Sequence, residues 1–84
     1  MAEVIIYSTT YCTFCQRAKQ LFDRKKIPYT EIDVTDDPVL REKMEADSGR
    51  RTVPQIFIDG KHIGGCDDLY ALDKEGKLDK LIAE

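Results

Sequence analysis

Tryptophan is missing from this chain, histidine occurs once and cysteine only three times. So few cysteines exclude a secreted disulfide scaffold, which would spread more of them to close longer loops. No segment approaches the roughly 18 consecutive apolar residues needed to span a bilayer. The opening residues, Met1-Ala2-Glu3-Val4-Ile5-Ile6-Tyr7, lack the basic start and long apolar stretch of a signal peptide, and read as a strand. A basic excess is lacking as well. The net charge of −3 argues against nucleic acid as the main partner. The one basic run, Arg24-Lys25-Lys26, falls at the end of an expected helix, where cations complement the dipole. No linker, repeat or low-complexity stretch divides the chain, so residues 1–84 are expected to form a single domain.

What is present is an ordinary globular composition, 42% hydrophobic and 35% charged, rich enough in Ile, Val, Leu, Phe and Tyr to exclude disorder. Residues 3–8 are apolar and β-branched and end at Ser8-Thr9-Thr10, a buried strand followed by a loop. Phe14, Ala18, Leu21 and Phe22 recur at helical spacing from about Thr13 to Lys26, and Pro28 prevents continuation. Tyr29 to Val34 alternates through Ile32 and Val34 as a second strand. Asp37 is the expected N-cap of a helix with Pro38 at its first position, Val39, Leu40 and Met44 as its buried stripe and Gly49 as its stop. Pro54 to Ile58 reads as a third strand, and Asp59-Gly60 as a hairpin turn into Lys61-His62-Ile63. After Gly64-Gly65, Asp67 or Asp68 is the expected cap of a helix through Leu69, Tyr70 and Leu72. Gly76 interrupts it before a short amphipathic segment carrying Leu78, Leu81 and Ile82. The order β-α-β-α-β-β-α plus a terminal helix predicts an α/β fold around a four-stranded mixed sheet, with helices on both faces.

The chemistry centres on Cys12-Thr13-Phe14-Cys15. The first strand ends before Thr9 and the first helix begins near Cys12, which puts Cys12 at the helix N-terminus, where unpaired N–H groups and the dipole stabilise an anion. A thiolate is such an anion, and it is the nucleophile in thiol–disulfide exchange. Cys15, one turn inside, can attack a mixed disulfide formed on Cys12 and leave an internal disulfide. Cys12 is therefore the candidate nucleophile and Cys15 the resolving thiol. A structural bridge is the poorer reading, because closing so short a loop restrains the unfolded chain weakly. A zinc site lacks a second ligand pair, since only Cys66 and His62 could join the two cysteines. Reversible chemistry in a reducing cytoplasm fits best. Phe14 either flanks the substrate groove or belongs to the helix's apolar stripe, and Tyr11 could line the same groove. Tyr7, Tyr29 and Tyr70 read as packing residues, and His62 as a surface or edge residue rather than a base.

The chain resembles the glutaredoxins, most closely the small bacterial dithiol class, over essentially its whole length. The resemblance rests on Cys12-Thr13-Phe14-Cys15 after the first strand, Thr52-Val53-Pro54-Gln55 before the third, and Gly64-Gly65-Cys66-Asp67-Asp68 before the next helix. It implies a thioredoxin-like fold and a monomer that uses glutathione to reduce protein disulfides and protein–glutathione mixed disulfides, with ribonucleotide reductase among the family's protein partners. It further implies a glutathione site built from Phe14, Thr52, Val53, Pro54, Gly65, Cys66, Asp67 and Asp68. Within it, Pro54 would be a cis-proline and Val53 would offer backbone hydrogen bonds to the cysteinyl unit. From sequence alone a trans proline opening an edge strand would be preferred. Gly65, Cys66 and Asp67 would form the γ-glutamyl pocket, where N–H groups at a helix start hold a carboxylate and Asp67 or Asp68 pairs with the α-ammonium. Cys66 reads as a small, partly buried residue rather than a third reactive thiol.

The chain departs from the usual family pattern at two positions. Thr13 stands where many relatives have proline, and Thr9 where many have lysine, which leaves Arg50 or Arg51 to meet the glycyl carboxylate. Some family members without that proline hold a [2Fe–2S] cluster between two subunits through the first cysteine and glutathione. Cys12 would be the metal ligand in that alternative, and no metal is expected otherwise. Reduction by a flavoenzyme instead of glutathione is a third reading, disfavoured by the Gly64–Asp68 segment.

Overall fold

The computed structural model describes residues 2–83. Its elements run β1 (Val4–Ser8), α1 (Thr13–Arg24), β2 (Thr30–Asp33), α2 (Pro38–Ser48), β3 (Gln55–Ile58), β4 (Lys61–Gly64), α3 (Cys66–Lys74) and α4 (Lys77–Ala83). The four strands lie in the order β2-β1-β3-β4, with β1 parallel to β2 and antiparallel to β3, and β3 antiparallel to β4. This is the expected mixed sheet.

Alternation along the two central strands builds a core on each face. Val4, Ile6, Ile56 and Ile58 meet Ala18, Leu21 and Phe22 of α1, Leu69 of α3 and Leu78 of α4. Tyr7 and Phe57 turn the other way, onto Val34 and Met44, with α2 as the only helix there. Three helices on one side and one on the other follow from the count of apolar stripes, α2 burying only Met44.

The local signals behave as their chemistry demands. Asp37 caps α2, its carboxylate accepting the Leu40 N–H at 3.0 Å, and Pro38 occupies the first turn. Gly49 ends that helix in the left-handed region at φ 73°. Asp59 and Gly60, at φ 51° and 78°, make the tight turn between β3 and β4. Lys25 does more than complement a dipole. Its ammonium bonds Asp73 at 2.7 Å and Asp79 at 3.0 Å, tying the end of α1 to α3 and α4.

Three readings need correction. Val39 is 75% exposed, because α2 packs through Met44 with Leu40 half-buried beside it, a narrower stripe than its apolar composition suggests. The cap of α3 is Gly65, neither Asp67 nor Asp68; Asp68 sits at the third helical position and reaches back to accept the Gly65 N–H at 3.0 Å. The second strand is shorter than Tyr29–Val34 and, as an edge, leaves Thr30, Glu31 and Asp33 exposed.

Candidate active site

The dithiol lies beyond the carboxyl end of β1. Cys12 is the N-cap residue of α1 in extended geometry, and its Sγ accepts the Cys15 N–H at 3.2 Å. The Cys12 thiol in turn donates to the Val53 carbonyl at 3.6 Å. Cys12 is partly exposed, whereas Cys15 is fully buried, and all three cysteines are free thiols. Burial above all, and the hydrogen bond with Cys12 next, push the Cys15 thiol up to about 12; a backbone hydrogen bond from Thr9 opposes them. The two sulfurs are thus chemically unequal: one accessible at a helix N-terminus, the other protonated and enclosed.

Beside Cys12 lies a cleft of about 200 Å³ lined by Phe14, by Arg50, Thr52, Val53 and Pro54, and by Gly65, Cys66, Asp67 and Asp68. All eight residues expected around glutathione meet there, although three separate segments supply them. The Val53–Pro54 peptide bond is cis. The segments approach closely, and a Cβ on Gly65 would stand 3.4 Å from the Pro54 carbonyl oxygen. Phe14, 52% exposed, lines this cleft and does not belong to the core. Its ring lies under the Arg17 guanidinium, 5.8 Å from the ring centre. Tyr11 is also exposed, but it does not line this cleft.

The polar fittings of the cleft hold one another. Asp68 accepts from Gly65 N–H and from Arg50 at 3.0 Å each, and these two contacts hold its carboxyl below the usual carboxylate range. Of the two arginines that could replace the missing lysine, Arg50 faces the cleft, while Arg51 turns out toward Glu45. Burial raises the Cys66 thiol, with the Asp67 carboxylate adding to it, so Cys66 behaves as a buried small residue. Gln55, the last residue of the Thr52–Gln55 motif, is wholly buried. Its amide donates to the Thr52 carbonyl at 2.9 Å and its carbonyl meets His62 Nε2 at 2.7 Å. It thereby anchors the Thr52–Pro54 segment, a role that no local signal announces. His62 stacks on Phe57 and is held below its ordinary range by burial first and by Arg50 next.

A partly exposed cysteine capping the first helix, a buried partner one turn on, and a β-α-β-α-β-β-α order around a mixed sheet are the features of the thioredoxin-like oxidoreductases. Comparison with known proteins narrows this class. The family model described as "Glutaredoxin" matches residues 4–63. The chain is 52% identical to Glutaredoxin 3 of Escherichia coli strain K12 over 82 residues, spanning 98% of this chain and 99% of that protein. It superposes with a TM-score of 0.90 on the crystal structure of a buckwheat glutaredoxin–glutathione complex, at 35% identity, covering 98% of this chain and 77% of the other. The solution structure of glutaredoxin from Brucella melitensis matches at TM-score 0.87 and 55% identity, covering 98% and 89%. The chain belongs to the glutaredoxin family.

Among the described residues no group of three or more His, Cys, Asp or Glu side chains is placed to hold a metal ion. No described helix is long and apolar enough to cross a membrane.

Proposed function

We propose that this glutaredoxin is a glutathione-dependent oxidoreductase that reduces protein–glutathione mixed disulfides and protein disulfides in a reducing cytoplasm. The observation that carries the reading is the asymmetry of the dithiol beside the cleft: Cys12 accessible and bonded by a helix N–H, Cys15 enclosed and protonated. Cys12 thiolate attacks the disulfide sulfur that bears glutathione, and the substrate protein leaves as a thiolate. A second glutathione thiolate then attacks the Cys12–glutathione bond, freeing Cys12 and forming oxidised glutathione. With a protein disulfide, Cys15 resolves the mixed disulfide instead, and two glutathiones later reduce the internal bridge.

The cleft suits glutathione in shape and charge. Val53 backbone groups lie beside the Cys12 sulfur, the start of α3 offers N–H groups to the γ-glutamyl carboxylate, and Asp67 or Asp68 meets its ammonium. Arg50 is the cation placed for the glycyl carboxylate. The buckwheat relative was crystallised with glutathione, which supports the assignment. The disulfides of ribonucleotide reductase are among the protein substrates this chemistry would serve, with the chain acting as a monomer.

The test compares Cys12→Ser with Cys15→Ser, each supplied with glutathione and glutathione reductase or with thioredoxin reductase. Turnover is expected with glutathione only. Cys12→Ser should abolish all activity, whereas Cys15→Ser should retain deglutathionylation and lose protein-disulfide reduction. Loss of both activities in Cys15→Ser would overturn the roles. A cluster-bridged dimer is the rival reading, favoured by Thr13 at the first position of α1. Anaerobic reconstitution with iron, sulfide and glutathione that leaves a colourless monomer would dismiss it.

A further inference from the structure

Cys15 presents a difficulty for the resolving step. Its thiol must lose a proton before it can attack, yet it is wholly buried and pushed up to about 12. The groups that face it come from two elements. The Thr9 backbone, just past β1, hydrogen-bonds to it, and Cys12 lies one turn before it on α1. Lys19 follows it by four residues on α1, so the two side chains occupy adjacent turns of one helix face. Of the groups that act on the Cys15 thiol, Lys19 is the cation, and its influence, the smallest of them, favours the ionised form.

Lys19 does not swing freely. Its Nζ donates to Glu31 Oε2 at 2.8 Å, and the fully buried Ser8 hydroxyl donates to the same oxygen at 2.5 Å. One carboxylate on β2 thus anchors an ammonium from α1 and a hydroxyl from β1. Of the other ionisable groups on this side, Tyr29 lies beside Lys19, and the Asp33 carboxylate turns away to accept from Thr35 at 2.6 and 2.9 Å. An isolated pair this exposed would contribute little to stability. Its place one turn beyond Cys15 on the same helix suggests another use.

We infer that Lys19, fixed by Glu31 and Ser8, is a positioning residue for the resolving step, its ammonium stabilising the Cys15 thiolate as that thiolate forms. This rests on the reading of Cys15 as the resolving thiol. The Cys15 proton passes to water, and the thiolate attacks Cys12 Sγ in the mixed disulfide. The bond from Cys12 to the substrate sulfur breaks, and the substrate leaves as a thiolate that takes a proton from water. The substrate is reduced as the Cys12–Cys15 disulfide forms, so electrons and protons balance.

The experiment measures Lys19→Gln and Lys19→Arg against a peptide with an intramolecular disulfide and against a cysteine–glutathione mixed disulfide. Both substitutions are also made in a Cys15→Ser background. Lys19→Gln should slow peptide reduction about tenfold at pH 7, the equivalent of one unit of thiol ionisation, and move its pH profile upward. Mixed-disulfide turnover should change less than about twofold, and Lys19→Arg should restore peptide reduction. An unchanged peptide rate and pH profile would overturn the inference. So would an equal loss of both activities that persists in the Cys15→Ser chain, since that is the signature of a structural defect. If Cys15→Ser alone leaves peptide reduction intact, the resolving role falls, and this inference with it.

Discussion

Gly64→Ala is the substitution that tests the construction of the cleft most severely. Gly64 closes β4 at φ +122°, where an L side chain is strained by about 2 kcal/mol. An added Cβ would also collide with Asp68, lying 2.7 Å from Cγ and 2.9 Å from Cβ, and nearer still to Oδ2. The Asp68 carboxylate would have to swing away from the Gly65 N–H, forfeiting a cap worth about 1 kcal/mol. The exposed Arg50 pair adds little more. The sum, about 3 kcal/mol, is a large part of the roughly 5–10 kcal/mol expected of so small a domain. It corresponds to a fall in Tm of about 10–20 °C. Urea denaturation of Gly64→Ala, Asp68→Ala and the double variant measures the parts separately. Asp68→Ala should cost about 1 kcal/mol, and the double variant about 3 instead of the additive 4, because the cap is lost once. A Gly64→Ala protein within about 0.5 kcal/mol of the parent would refute the reasoning, as would strict additivity.

Other outcomes follow from single contacts. Asp37→Ala should destabilise the chain by about 1 kcal/mol in urea titration, since its carboxylate caps α2 through the Leu40 N–H. Phe22→Ala, removing a fully buried ring from the core under α1, should cost about 3–5 kcal/mol and leave little cooperative melting. The Lys19 hydrogen bond, followed by that of Ser8, lowers the Glu31 carboxyl, so its contribution is present above the unfolded value near ~4.3 and is lost as pH falls through the folded one. Parent and Glu31→Gln should therefore differ at pH 7, by less than about 1 kcal/mol given the exposure of the pair, and converge on acidification. With the Cys15 thiol pushed up to about 12, the Cys15-dependent reduction of a disulfide peptide should rise with pH from 7 to 9, a trend that stopped-flow turnover would reveal.

Much of the fold is written in local chemistry that needs no partner to act. Pro28 must end a helix, Asp37-Pro38 must start one, and Asp59-Gly60 must turn, because backbone sterics and hydrogen bonding there depend on adjacent residues. The same holds for the cysteine pair: the strand end before Thr9 and the helical periodicity after it put Cys12 at a helix N-terminus and Cys15 one turn inside. Where the reading failed, the deciding force came from a distance. Val39 has an apolar side chain but no neighbour to cover it, since α2 packs through Met44. Asp68 looks like a cap in sequence, yet the approach of Gly64 and Arg50 puts Gly65 at the cap and makes Asp68 reach backward.

By itself, then, the order of residues determined the elements, the sheet type and the place of Cys12 at a helix start, since propensity, capping and periodicity are properties of neighbouring residues. Tertiary structure alone decided that Phe14 lines the groove and that Arg50, not Arg51, faces it. It also decided that Gln55 holds the Thr52–Pro54 segment, and that Ser8 and Lys19 meet on one oxygen of Glu31. Except for the Gln55–Thr52 bond, which spans three positions, those contacts join residues that are far apart along the chain. Their distances are set by sheet register and helix packing, which no local pattern encodes.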